Sequence, residues 1–436
     1  MISQFLIDQC TSLTYIDFSN FNAQNIVNMR GMFYECISLT SIDLSIFNAQ
    51  NVTDVSSMFS YCNNLTSIDL TDIYFQNLKD ISSMFFGCYS LKYANISNFN
   101  APNLKDISYM FRDCRSLIYI NISNFNAQNL TDMKGMFYHC DSLISIDFYN
   151  FTAQNKLDMY AMFYYCKSLI SINLSYFNVQ NINDMSYMFN YCNSLTSIDL
   201  STFNTKNIED MSCMFKNCRS LISIDLSNLN IQSVKILKQM FFNCMSLKSI
   251  DLSNFNTQYA KDMSNMFRHC RSLIYLNLSN FNTQNAEDMK NMFNGCRSLI
   301  SIDLSNFNTQ NAIDMSNMFY NCESLTSIDV SNFDTQNVTK MNNMFYNCIS
   351  LTSIDASNFD TRKVISIQEM FYYCDNLTYI DISNFTINQD KVELFFDLPN
   401  KGIIKMNKDY IGKIEYIPQE WTIISNIYIF DNYTSI

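Results

Sequence analysis

A cysteine ladder constrains this chain more than any other feature of its sequence. Cys10, Cys36, Cys62 and so on to Cys374 recur every 26 residues, fifteen in all, with no insertion or deletion between them. A fixed period of roughly 20–50 residues marks a solenoid, a propeller or an array. One such unit cannot bury its own apolar face and must stack on its neighbours. Length alone, 436 residues, suggests roughly two or three globular domains. The strict register overrides that and predicts one long repeat domain over residues 1–389, followed by a C-terminal cap over 390–436.

With the cysteine as unit position 1, Leu falls at 4, Ile at 7, Asp or Asn at 8, Phe at 12 and Met-Phe at 23 and 24. In one unit these are Cys296, Leu299, Ile302, Asp303, Leu304, Phe307, Met318 and Phe319. Residues 301–305 alternate polar and apolar, so they read as a short strand with Ile302 and Leu304 inward. The following NFNTQN is Asn-rich turn material. Next comes DMSNMFYNC, in which Asp314 is a good N-cap. Met315, Met318, Phe319 and Cys322 fall at i, i+3, i+4 and i+7, which predicts about two helical turns. The expected fold is an α/β repeat, a leucine-rich-repeat-type solenoid of about 15 coils. Each coil would carry one short parallel strand and one short helix.

Composition excludes several classes. Only 6 Gly and 3 Pro rule against collagen-like or Gly/Pro-rich disordered chains. A net charge of −12 argues against nucleic acid and anionic membranes as partners, since phosphates need Lys and Arg. No run of about 18 apolar residues exists, so no membrane insertion is expected. The start, MISQFLIDQC, has no basic region and reads as neither a signal peptide nor an anchor. Leu6 and Ile7 sit where later units have Met and Phe, so the chain begins in mid-unit. An uncovered first coil with strand 14–18 at its edge would favour end-to-end self-association, the alternative to a binding role.

At the other end the period fails after Asp381. Residues 390–398 read as a helix stopped by Pro399, and the remainder reads as strand, helix, strand. Trp421, the only Trp, is expected to cover the last coil.

The segment LISIDLSNF at 299–307 approximates the leucine-rich-repeat strand signature, with Phe307 in the Asn/Cys place. Together with the DMSxMFxxC half, it closely resembles the BspA-like leucine-rich-repeat surface proteins, whose repeat also occurs in mycoplasma lipoproteins. The likeness covers residues 1 to about 390, and IPQEWTII looks like that family's C-terminal segment. The resemblance implies a non-enzymatic solenoid at the cell surface or secreted. It implies binding of a protein or other macromolecular partner, with adhesion or host contact as the setting.

Candidate chemistry is sparse. The ladder cysteines fall inward by helical phase and are expected to be buried free thiols, with a disulfide framework as the alternative. Cys213 lies off the ladder and is expected to be exposed. His139 and His269 share one unit position and read as surface loop residues. No Gly-rich phosphate loop, nucleophile elbow or HExxH is present, so no catalytic residue, cofactor or metal site is assigned. The Asp at position 8 makes an outward stripe, read as a solvated acidic face, with a weak Ca²⁺ ladder as the alternative.

The strand face breaks its own pattern in one place. Positions 6, 8 and 10 are expected to point outward, and most units show Ser, Asp, Ser there. Two adjacent units show Tyr93, Asn95 and Tyr119, Asn121 instead, and Tyr275 with Asn277 repeats the swap alone. Tyr is favoured and Asp disfavoured at interface centres, so these six residues are the candidate partner-binding set.

Overall fold

The computed structural model describes residues 9–18, 25–44, 50–71 and 75–425. Two compact units are present, Met1–Phe255 and Asn256–Ile436. Each is a parallel solenoid of 26-residue coils. The expected Leu6 and Ile7 contacts of the first coil lie outside the described residues.

In the first unit, β1 (Ser67–Asp69), β2 (Tyr93–Asn95), β3 (Tyr119–Asn121) and β4 (Ser145–Asp147) form a parallel sheet in chain order. Each strand buries its middle residue and presents the two flanking ones outward, as period-2 geometry requires. The stretch after the strand is also extended in two coils, where β5 (Phe151–Asp158) pairs in parallel with β6 (Phe177–Asp184). Strands β7 (Ser249–Asp251) and β8 (Tyr275–Asn277) occupy the same place in later coils. The second unit also holds β9 (Ser353–Asp355), β10 (Phe371–Tyr372), β11 (Tyr379–Ile382), β12 (Phe395–Phe396), β13 (Lys401–Met406) and β14 (Glu420–Ser425). Four of these make a parallel sheet in the order β14-β13-β11-β9.

The helix expected in each coil is absent among the described residues. Among the described residues the one helix is a 3₁₀ segment, Lys408–Lys413. Over 314–322 the chain makes a run of tight turns. Met315, Asn317, Phe319 and Asn321 donate their N–H groups to Lys340, Asn342, Met344 and Tyr346 of the next coil, at 2.8–3.0 Å. The alternate groups close turns within the coil, as Cys322 N–H does on the Phe319 carbonyl at 3.1 Å. An α-helix would spend all of these donors inside its own coil. Asn317 and Asn321 have φ of 56° and 58°, a left-handed conformation that a right-handed helix cannot contain. The same two places, five residues and one residue before each ladder cysteine, are left-handed in coil after coil. Asn fills many of them because it tolerates that region, and Gly31, Gly87, Gly135 and Gly295 fill four more. Helical spacing of the apolar residues and this turn ribbon bury the same side chains, which is why periodicity alone misreads it.

The core is a set of in-register stacks. Phe111, Phe137 and Phe163 are fully buried, with ring centroids 5.9 and 5.5 Å apart and planes within 7°. Phe293, Phe319 and Phe345 do the same in the second unit at 5.4 and 5.6 Å. Each such pair contributes about 0.5–1.5 kcal/mol beyond its area. The ladder thiols are free, and from Cys36 to Cys374 they are buried. Most are satisfied in place: Cys114 Sγ–H donates to the Phe85 carbonyl at 3.2 Å, and Cys322 Sγ–H to that of Phe293 at 3.3 Å. Burial pushes the Cys62 thiol up to about 12. Cys213 is buried too, against the expectation of exposure. It sits at a left-handed turn position with φ 56°, not on the outer face of a helix, and its Sγ–H meets Gln239 Oε1 at 3.4 Å.

The cap continues the same logic. Residues 390–398 form no helix. Phe395–Phe396 instead pairs in parallel with β10, and the Phe395 ring stacks on Phe371 at 5.8 Å. Trp421 is buried as expected, its indole N–H on the Pro399 carbonyl at 2.7 Å. Gly402 leaves room for the indole, since a Cβ there would stand 2.6 Å from it.

Two outcomes follow from this packing. Phe319→Ala should cost about 3–5 kcal/mol in chemical denaturation, as for other buried Phe truncations. A change under about 1 kcal/mol would remove the ring from the core. A thiol reagent should label Cys10, which is half-buried, in the native state. It should reach Cys213 and the other ladder cysteines only after unfolding, as read by mass spectrometry of labelled peptides.

Candidate interaction face

The strand face is built on a repeated turn. After each strand the carboxylate at position 8 accepts the backbone N–H two residues on. Ser305 N–H reaches Asp303 Oδ1 at 2.9 Å, Ser201 reaches Asp199 at 2.8 Å and Tyr149 reaches Asp147 at 2.9 Å. These Asx turns explain the Asp stripe as local structure. The Ser305 backbone N–H and hydroxyl hold Asp303 below the usual carboxylate range, and the Ser331 hydroxyl and N–H do so for Asp329. Among the described residues no group of three or more His, Cys, Asp or Glu could hold a metal ion.

Asn can make the same turn without the charge. Ser97 N–H donates to Asn95 Oδ1 at 3.2 Å, Ser123 N–H to Asn121 at 3.0 Å and Ser279 N–H to Asn277 at 3.1 Å. The swap at these three coils therefore removes a carboxylate and keeps the fold. Position 10 is exposed in many coils, as at Ser201, Ser279 and Ser305, while Ser97 is buried and Ser123 half-buried.

The structure brings four of the six candidates together. Tyr93 pairs with Tyr119 and Asn95 with Asn121 across β2 and β3. Tyr93 is 54% and Tyr119 38% exposed. Burial and the nearby Asp147 carboxylate raise the Tyr119 phenol above its ordinary value. Tyr275, 55% exposed, and Asn277 belong to the second unit.

Sequence reasoning missed the row beside these tyrosines. At position 5, Ile118 is half-buried, and Ile144 and Ile170 are exposed. Ile118 N–H donates to the Lys92 carbonyl at 2.9 Å and Ile144 N–H to that of Ile118 at 3.0 Å. This places a branched apolar row next to the Tyr93–Tyr119 pair. The available signal was Ile at position 5 in three successive units, a residue that Ile222, Ile274 and Ile300 repeat in later units while the others carry Thr or Lys.

A second carboxylate row lies where helix caps were expected. Ser82 N–H donates to Asp80 Oδ1 at 2.8 Å and Ser186 N–H to Asp184 Oδ1 at 2.7 Å. These residues cap the turn ribbon and bridge in parallel to their counterparts in adjacent coils, as Asp80 does to Asp106. Burial raises the pKa of Asp80 and Asp184. The histidines are more enclosed than surface loop residues. His139 packs on the Tyr165 ring at 4.4 Å with its Nδ1 3.2 Å from Asp141 Oδ1. Burial and the Arg268, Arg271 and Arg297 charges lower the pKa of His269.

Repeated parallel coils, a one-sided strand face and a buried phenylalanine stack define the class as a leucine-rich-repeat-type solenoid. The chain belongs to the family described as Mycoplasma protein of unknown function, DUF285. That family's profile matches in overlapping copies over residues 3–94, 66–171, 144–249, 194–302, 237–348 and 299–398. A comparison with curated proteins finds no match. Among solved structures, the chain is similar to a leucine-rich repeat protein from Bacteroides ovatus at 19% identity, with 97% of this chain and 94% of that one covered and a TM-score of 0.49. It is also similar to a leucine rich cell surface protein from Faecalibacterium prausnitzii at 16% identity, with 78% of each chain covered and a TM-score of 0.34. A leucine-rich repeat protein from Eubacterium ventriosum matches at 14% identity over 74% of this chain and 80% of that one, with a TM-score of 0.32. Among the described residues no helix is long and apolar enough to cross a membrane.

The two carboxylate rows should respond oppositely to pH. Asp303 titrates below its unfolded value, so its contribution is present above about pH 4 and is lost as pH falls through the folded pKa. Asp184 titrates above its unfolded value of 3.8, so its charge costs stability that grows as pH rises through the folded pKa. In thermal unfolding at about pH 7, Asp184→Asn should raise the midpoint and Asp303→Asn should lower it, the latter by under about 1 kcal/mol after screening. Both differences should shrink towards about pH 3, and matching signs at neutral pH would refute the assignment.

Proposed function

We propose that this chain is a non-enzymatic repeat scaffold that binds a protein partner on the strand-lined face of its first unit. Tyr93 and Tyr119 form the centre. The observation that carries the reading is their pairing in adjacent strands with both flanking carboxylates replaced by Asn95 and Asn121. Two exposed rings bury area at little entropic cost, and removing two carboxylates lowers the desolvation penalty of docking. The Ile118, Ile144 and Ile170 row extends the apolar area, and polar strand residues surround it as a rim. Tyr275 and Asn277 offer a smaller contact of the same chemistry on the second unit. The resemblance to BspA-like surface proteins supports a setting at the cell surface, in adhesion or host contact.

A photo-crosslinking residue placed at Tyr119 should trap the partner, and the same residue at Ser197, on an ordinary strand, should not. With the trapped protein in hand, Tyr119→Ala should weaken binding by at least about 2 kcal/mol, the hot-spot scale. Ser197→Ala should change it little. Equal small effects at both positions would remove the tyrosine pair from the interface.

A further inference from the structure

The repeat departs from its own pattern a second time, past the strand ends. Positions 10 and 11 carry Ser then Asn in several coils, as in Ser97-Asn98 and Ser123-Asn124. Two successive coils carry Tyr149-Asn150 and Ser175-Tyr176 instead. Both tyrosines stand out of the surface, 52% and 54% exposed, with ring centroids 4.9 Å apart and planes at 61°. The core gains nothing from them. Together with Asn150, Ser175 and Thr202 they line an open notch of about 520 Å³.

We propose that this notch binds a neutral saccharide. The lining carries no carboxylate, ammonium, guanidinium or imidazole, which excludes a site built for a charged ligand. Its hydrogen-bonding groups are arranged as acceptors. The Ser175 hydroxyl already donates to Asn173 Oδ1 at 2.6 Å and the Thr202 hydroxyl to the Leu174 carbonyl at 3.1 Å, so each presents oxygen lone pairs outward. An amide row runs along position 11, with Asn124 Nδ2 donating to Asn98 Oδ1 at 3.0 Å and Asn150 Nδ2 to Asn124 Oδ1 at 3.1 Å. The row stops at Tyr176, which has no amide to offer, and the Asn150 carbonyl oxygen is left as a third acceptor at the notch. Three acceptors beside two aromatic faces call for a ligand with several hydroxyl donors and an apolar C–H face. A pyranose has both, and the volume lies within the usual range of about 300–1,000 Å³ for small-ligand sites. The backbone there is held by the Asx turns of Asp147 and Asn173, so the site is preformed.

The experiment titrates the full chain with neutral gluco-, manno-, galacto- and N-acetylglucosamine tetrasaccharides, read by saturation-transfer NMR and calorimetry. At least one should bind. Tyr149→Ser and Tyr176→Asn restore residues that other coils carry at these positions, and thermal unfolding should show both variants folded. Each should weaken saccharide binding at least about tenfold, whereas Tyr176→Phe, which keeps the ring, should stay within about threefold of the parent chain. Tyr93→Ser, outside the notch, should leave saccharide binding unchanged, and that arm separates this site from the protein-binding face. Failure of all four tetrasaccharides to bind, or binding insensitive to Tyr149→Ser and Tyr176→Asn, would overturn the proposal. So would a loss confined to binding of the protein trapped at Tyr119, since the notch would then be part of that interface.

Discussion

The bond from one coil's turn ribbon to the next, N–H to carbonyl at 2.8–3.0 Å, is the constraint on which the rest of this structure depends. Sets of four such bonds, as at Met315, Asn317, Phe319 and Asn321, lock adjacent coils within a unit into one register. An extra residue anywhere in a coil would put carbonyls where N–H groups should be and orphan several buried polar groups at once. That is the physical reason a 26-residue period runs from Cys10 to Cys374 without an insertion. The ribbon also demands two left-handed residues per coil. Placing non-glycine residues there costs roughly 1–2 kcal/mol each. Bulky ones offset it by stacking between coils, as Tyr165 and Tyr191 do at 4.2 Å.

Register then dictates the core. Side chains of one type fall above one another, so phenylalanines stack face to face and most ladder cysteines find a carbonyl of the preceding coil. A thiol in that place behaves as a small apolar residue with a satisfied donor. Burial keeps the thiols from Cys36 to Cys374 away from solvent, and all fifteen regularly spaced cysteines are free. The cap obeys the same rule: Phe395 extends the stack and Trp421 closes over Gly402.

With the core committed to register, freedom to vary is confined to outward side chains, whose exchange leaves the backbone bonds between coils in place. Position 8 illustrates the limit. Asp and Asn both close the turn after the strand, so at Asn95 and Asn121 the charge is gone and the turn bond is kept. The carboxylates of the other row are half-buried, and Asn28, Ile236, Lys340 and Ser366 stand in their place with the backbone bridge between coils kept. Variation at positions 5, 6, 10 and 11 is therefore where recognition can be written, and the aromatic departures of the first unit fall there.

Much of this could be read from the residues. The period, the alternation that buries Leu304, the Phe and Met stripes and the closing Trp421 all follow from side-chain chemistry at fixed spacing, whereas residues 301–305 form no strand and Ile302 is half-buried. The Tyr93–Tyr119 pair was legible because strand alternation and a common register suffice to place it. Three things were decided by tertiary contacts. The helix of each coil became a turn ribbon because its N–H groups bond to a neighbouring coil, and helical spacing cannot distinguish that from bonding within the coil. Cys213 became buried because the ribbon has no outer helical face. The Tyr149–Tyr176 notch exists because one coil's position 10 meets the next coil's position 11, a juxtaposition set by the geometry of the stack and invisible to any single repeat.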